Sequence, residues 1–132
     1  MEILRQTNLP VGWDDPVLHA AQAAAVLAQP GHVLLQATGG GHLLGLAVAG
    51  VPADILTLYV PTALRRQGRA YALLAAFLAQ AQAVGASGLT LEVRADNAAA
   101  LALYQAQGLT LRHRRVGYYG GVDALVLGRD FH

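Results

Sequence analysis

Residues 54–93 constrain the fold more than any other part of the chain. Asp54–Val60 (Asp-Ile-Leu-Thr-Leu-Tyr-Val) is β-branched, aromatic and nearly all apolar, which suits a central strand buried on both faces. A loop at Pro61–Arg66 follows. A helix is expected from about Gln67 to Val84, with Leu73, Leu74, Phe77, Leu78 and Ala81 at helical spacing on its buried stripe. Gly85 and Gly88 bracket its exit. Leu89–Val93 then alternates, placing Leu89, Leu91 and Val93 on one face and Thr90 and Glu92 on the other. Strand, helix and strand in that order make a βαβ unit, and so an α/β domain.

The flanking segments extend this unit into a mixed sheet. Residues 2–6 suit a short edge strand. Asp14-Asp15-Pro16 reads as a helix start, and that helix is expected to run to about Ala28 and stop at Pro30-Gly31. His32–Ala37 and His42–Ala49 are strand-like, with a Gly39-Gly40-Gly41 turn between them. Asp96 or Asn97 caps a second short helix through about Gln107, closed by Gly108. Thr110–Val116 and Val122–Leu127 read as two strands paired antiparallel. The expected order is β-α-β-β-β-α-β-α-β-β, a single domain over 1–132, with a mixed, mostly antiparallel twisted sheet flanked by helices.

Composition narrows the function classes. With 55% hydrophobic and 13% charged residues, the chain is not of the disordered type. It has no Cys, hence no disulfide, thiolate nucleophile or Cys-based zinc site. No pair among the 5 His has metal-ligand spacing, so surface or structural roles are expected of them and no metal site is. All 9 basic residues are Arg, yet the net charge is only +1, which favours neither nucleic acid nor an anionic membrane as a partner. No apolar run is long enough to span a membrane, and the N-terminal residues do not resemble a signal peptide. A cytoplasmic location is therefore expected.

One loop concentrates positive charge. Arg65-Arg66-Gln67-Gly68-Arg69-Ala70 lies between the central strand and the long helix. The unpaired N–H groups of a helix's first turn attract anions. Gly68 allows close backbone approach, Ala70 does not block it, and Arg65, Arg66 and Arg69 are suited to phosphate oxygens. A solvated basic turn is the plainer alternative. A Gly-Lys-Ser/Thr loop and a G-x-G-x-x-G loop are both absent, so neither of those nucleotide folds is supported.

The run Val60-Pro61-Thr62-Ala63-Leu64-Arg65-Arg66-Gln67-Gly68-Arg69-Ala70 resembles the acetyl-CoA signature of the GNAT N-acetyltransferases, Gln/Arg-x-x-Gly-x-Gly/Ala, met by Arg65, Gly68 and Ala70. Leu91-Glu92-Val93-Arg94-Ala95-Asp96-Asn97 through Tyr104 is similar to the RimI-like branch, the ribosomal-protein alanine acetyltransferases. The likeness covers residues 55 to about 127. It implies a GNAT fold and acetyl-CoA as cosubstrate. It implies that backbone amides over Arg65–Tyr71 (Arg65, Arg66, Gln67, Gly68, Arg69, Ala70, Tyr71) hold the pyrophosphate, that Leu58, Tyr59 and Val60 pair with the pantetheine arm, and that Asn97 touches the cofactor near its thioester.

The same resemblance makes Glu92 the general base and Tyr104 the general acid. From position alone, a strand-end salt bridge, for instance with Arg94, is the favoured reading of Glu92, and a core aromatic is the commoner fate of a helix residue such as Tyr104. Asn97 and Tyr104 are seven residues apart and share a helix face with Leu101. Tyr118 and Tyr119 correspond to a pair beside the peptide acceptor in N-terminal acetyltransferases; an ordinary aromatic hairpin pair is the alternative. Val122 departs from the acidic residue usual there, which weakens peptide specificity more than the chemistry. Trp13 suits a core anchor better than the acceptor cleft. The expected acceptor is a protein N-terminal α-amine. The rivals are a small-molecule amine, or a CoA-binding module without turnover. A homodimer is the one further partner to look for.

Overall fold

The computed structural model describes residues 1–131. The elements are β1 (Ile3–Gln6), α1 (Ala20–Leu27), β2 (His32–Ala37), β3 (His42–Leu46), β4 (Pro52–Tyr59), α2 (Arg69–Ala83), β5 (Gly88–Arg94), α3 (Ala98–Ala106), β6 (Thr110–Tyr119) and β7 (Val122–Asp130). A 3₁₀ turn at Thr62–Leu64 precedes α2. The seven strands form one sheet in the order β1-β2-β3-β4-β5-β7-β6. Every pairing is antiparallel except β4–β5, whose strands the α2 crossover joins in parallel.

The sheet has two unequal faces. On one, Leu73, Leu74, Phe77, Leu78 and Ala81 of α2 pack with Val33, Leu35, Leu43, Leu89, Leu91 and Val93 in the main core. On the other, Leu34 and Leu44 pack with Ala23 of α1 in a smaller cluster. Gly45 is required by close packing: a Cβ there would lie 2.6 Å from the Phe77 ring. The alternation expected of β5 is present, so Thr90 and Glu92 point away from α2, toward the side that holds α1.

Three expectations need correction. The first helix starts at Ala20 rather than at Asp14-Asp15-Pro16. Asp15 does accept amide hydrogens, from Val17 (2.9 Å) and Leu18 (2.8 Å). Its other oxygen is drawn into the sheet, and extended backbone at His19 separates that turn from α1. The third strand stops at Leu46 instead of Ala49, because the chain turns through Gly50 at φ 83°. Most importantly, β4 is not buried on both faces. It pairs with β5 only at Pro52↔Gly88 and Ala53↔Leu89, and beyond that point the two strands part.

Candidate active site

The parting of β4 and β5 creates the central feature of the molecule. Both strands run parallel, so their C-terminal halves diverge toward the ends from which α2 and α3 start. Ile55–Tyr59 of β4 is thereby left without a partner on its β5 side. The β3 side is also interrupted: Leu44 pairs with Thr57 and Gly45 with Ile55, so Leu56 has no partner across that ladder either. Such a bulge leaves one residue's peptide groups outside the ladder. Unpaired strand groups are a template for another extended, amide-bearing chain. Leu56 is 39% exposed, far above the core residues beside it.

The mouth of this opening holds a helix start with no side-chain cap. Gly68, the residue before α2, has φ 76° and ψ 11°, and no side chain caps the helix. The first turn contains no acidic residue that could take up its N–H groups. Arg66 is the one non-glycine with positive φ among the described residues, at 61°. A left-handed residue followed by a helical one turns successive N–H groups into a concave nest. A Cβ at Gly68 would meet nothing within 4 Å, so the protein leaves that side open. By contrast, α3 is capped internally, Asn97 Oδ1 accepting from the Ala100 amide at 3.1 Å.

Two of the three arginines, Arg65 and Arg69, brace the loop rather than face it. Arg65 Nε donates to the Val60 carbonyl at 3.0 Å, closing the loop on itself. Arg69 Nη1 donates to the carbonyls of Thr38 (2.7 Å) and Gly40 (3.0 Å), pinning the β2–β3 turn to the start of α2. Gln67 Oε1 accepts from Arg69 Nε at 3.4 Å. Gln107 Nε2 donates to the Tyr71 carbonyl at 3.3 Å, tying the end of α3 to the first turn of α2. These bonds hold the walls of the cleft, and no side chain caps the backbone N–H groups at the start of α2.

Glu92 sits near the open end of β5 with its side chain 29% exposed. It does not pair with Arg94, which binds Asp96 at 3.0 Å instead. Its partners come from β6: Tyr119 donates its hydroxyl to Oε1 at 3.3 Å, and Arg115 Nε lies 3.6 Å from Oε2. Tyr118 and Tyr119 make an edge-to-face pair 5.1 Å apart, with Arg94 over the Tyr119 ring and Arg115 over the Tyr118 ring. The structure thus brings Tyr119 directly to Glu92 and places Tyr118 beside it. Tyr104 approaches from α3, half-buried against the main core. Burial pushes its hydroxyl pKa up, and among the described residues no protein group hydrogen-bonds that hydroxyl. No hydrogen bond joins Glu92 to Tyr104.

Sequence reasoning missed one buried polar cluster. Asp15 Oδ2 accepts from Thr57 Oγ1 at 2.6 Å and from His42 Nε2 at 2.8 Å. Burial alone would raise the Asp15 pKa, but these two donors and the Leu18 and Val17 amides outweigh it and hold the carboxyl at about 2. His42 is buried and bonded to Asp15, so it is not one of the surface histidines. Trp13 is only half-buried: it stacks on His42 at 4.0 Å and joins it in lining a cavity of about 230 Å³ with Gly39–Gly41. The only advance signal was Asp15 itself, an acidic residue beside a proline that looked like a helix cap.

Comparison with known proteins gives the family and the fold. The model of the acetyltransferase (GNAT) family matches residues 1–109. The [ribosomal protein bS18]-alanine N-acetyltransferase of Escherichia coli strain K12 is 36% identical over 99 residues, 70% of this chain and 67% of that relative. The enzyme of the same name from Salmonella typhimurium strain LT2 is 30% identical over 96% of this chain and 94% of its own length. Among solved structures, the ribosomal-protein-S18-alanine N-acetyltransferase from Escherichia coli superimposes with a TM-score of 0.69 at 29% identity, covering 80% of this chain and 73% of that one.

Proposed function

The chain belongs to the GNAT family of acetyltransferases, and on that premise we propose that it acetylates the α-amine of a protein N-terminus. Acetyl-CoA is its acetyl donor. The observation that carries the reading is the parting of β4 from β5 directly above an uncapped helix start, with Glu92 on the diverging half of β5. Diphosphate oxygens suit the N–H nest at Gly68–Tyr71, and the amide-bearing arm suits the free edge of Leu58–Val60. Asn97 Nδ2 remains available to that arm, since only Oδ1 is used in capping.

In this reading Glu92 takes a proton from the acceptor amine through water. The nitrogen then attacks the thioester carbon. An unpaired backbone N–H at the β4 bulge stabilises the oxygen as negative charge develops there. Collapse breaks the C–S bond, and Tyr104 gives its proton to the departing thiolate; burial, which keeps the phenol protonated, suits it to that task. Tyr118 and Tyr119 flank the acceptor beside the base. An α-amine, titrating near ~8 against ~10.4 for a lysine, loses its proton more readily at neutral pH. No helix of the described residues is long and apolar enough to cross a membrane, which is compatible with work in the cytoplasm.

The test is an acceptor screen. Acetyl-CoA is incubated with peptides of varied first residue, with Nα-blocked lysine peptides and with small amines, and thiol release is followed. Release that requires a free peptide α-amine is expected. Release with small amines alone would overturn the acceptor assignment, and release with none would overturn the activity.

A further inference from the structure

The β4 bulge is poorly supported within the sheet, and in the proposed reaction its backbone is the one the chemistry uses. Leu56 has no partner on the β3 side, and the strand has none on the β5 side beyond Ala53. A segment freed from both ladders needs another anchor to keep its N–H groups aimed. The next residue, Thr57, supplies one through its hydroxyl, which donates to Asp15 Oδ2 at 2.6 Å.

Asp15 is built as a fixed point. Its side chain is 1% exposed. Oδ1 accepts from the amides of Val17 and Leu18, and Oδ2 from Thr57 and His42. An ionised carboxylate offers about four lone-pair sites, and every one is matched. No buried side-chain nitrogen or oxygen among the described residues lacks a partner. His42 opens β3, pairs in register with Tyr59 and packs against its ring at 5.7 Å. Trp13 covers His42. One carboxylate therefore ties the loop before α1, the start of β3 and the residue after the bulge into a single block. Its four donors disperse its charge, so the bulge meets an anchor rather than a bare anion.

We infer that Asp15, acting through Thr57 and steadied by His42, is a positioning residue for acetyl transfer: it aims the backbone donors of the β4 bulge at the thioester oxygen. The inference rests on the acetyltransferase reading above and adds residues to it that touch neither cosubstrate nor acceptor.

Thr57→Val is the cleanest probe, because it keeps the shape and removes one donor. Thr57→Ser is the conservative rescue, and Asp15→Asn the severer change. For each folded variant, kcat, both KM values and the affinity for CoA are measured. The carbonyl stretch of bound acetyl-CoA labelled with carbon-13 at the thioester is recorded by difference infrared spectroscopy. The expected result for Thr57→Val is a kcat lowered roughly tenfold or more, as for a weakened oxyanion donor. CoA affinity should stay within about twofold. The thioester band, shifted to lower frequency in the wild type, should return toward its free position. Thr57→Ser should restore both readouts. A Thr57→Val enzyme with unchanged kcat and an unchanged band would overturn the inference, as would a loss confined to KM or to CoA binding. Wild-type protein that releases no thiol with any acceptor would overturn the proposed function instead, so the two failures are distinguishable.

Discussion

Asp15 also makes a prediction about acid stability that needs no knowledge of the acceptor. Its carboxyl sits at about 2 in the folded protein against an ordinary value of 3.8. At ~1.36 kcal/mol per pH unit, that difference contributes about 2 kcal/mol to folding at neutral pH. The folded pKa is depressed, so the contribution is complete above the unfolded value and is lost as pH falls through the folded one. Linkage leaves roughly half of it at pH ~3 and little at pH ~2. Asp15→Asn cannot titrate and also turns an NH₂ group toward the donors of Thr57 or of the Val17 and Leu18 amides. Its cost at neutral pH should therefore be about 2–4 kcal/mol, the ionisation contribution plus mismatched donors. Urea unfolding of both proteins, followed by far-ultraviolet circular dichroism at steps from pH 7 down to pH 3, isolates the residue, because the other carboxyls titrate alike in each. The stability gap should narrow by about 1 kcal/mol between pH 6 and pH 3. A gap that stays constant across that range would refute the ionised, donor-saturated Asp15 described above.

Three further outcomes test the cleft. Glu92→Gln should lower kcat/KM by roughly a hundredfold or more and flatten its rise with pH, whereas an unchanged profile removes Glu92 from the base role. Tyr104→Phe should lower turnover at least roughly tenfold with CoA affinity preserved; equal turnover in stopped-flow thiol release would count against the acid assignment. Gly68→Ala strains a residue at φ 76° by about 1–2 kcal/mol and puts a methyl where the protein leaves open space. Calorimetry should show CoA binding weakened about tenfold or more, out of proportion to a melting-temperature loss of a few degrees, and undiminished affinity would remove the nest from the binding site.

Legibility varied with the range of the interactions involved. The α2 stripe and the β5 alternation were readable because the residue that decides each position lies within four of the next. The loop at Arg65–Ala70 was readable for the same reason, since helix start, glycine and charge are contiguous. Arg69 was only half understood, because its partners at Thr38 and Gly40 are some thirty residues away. Glu92 illustrates both sides: its place at a strand end was legible, and its partner was not. The local candidate, Arg94, bound Asp96 through a tight two-residue fork, and Arg115 and Tyr119 reached Glu92 from another hairpin.

From its sequence alone this chain is committed to an α/β sheet with one parallel crossover and a glycine-opened, cation-rich turn at its centre. Periodicity, breakers and caps act over a few residues, and a linear reading contains all of them. Where the sheet opens was decided only by folding. An apolar strand with every mark of burial is half exposed because its neighbour pairs with β7 along its full length and with β4 over two residues. Only folding, too, buried a carboxylate under Thr57 and His42, residues 42 and 27 positions away. Those choices come from competition among distant partners for the same hydrogen-bonding groups, and that competition exists only once the chain has closed on itself.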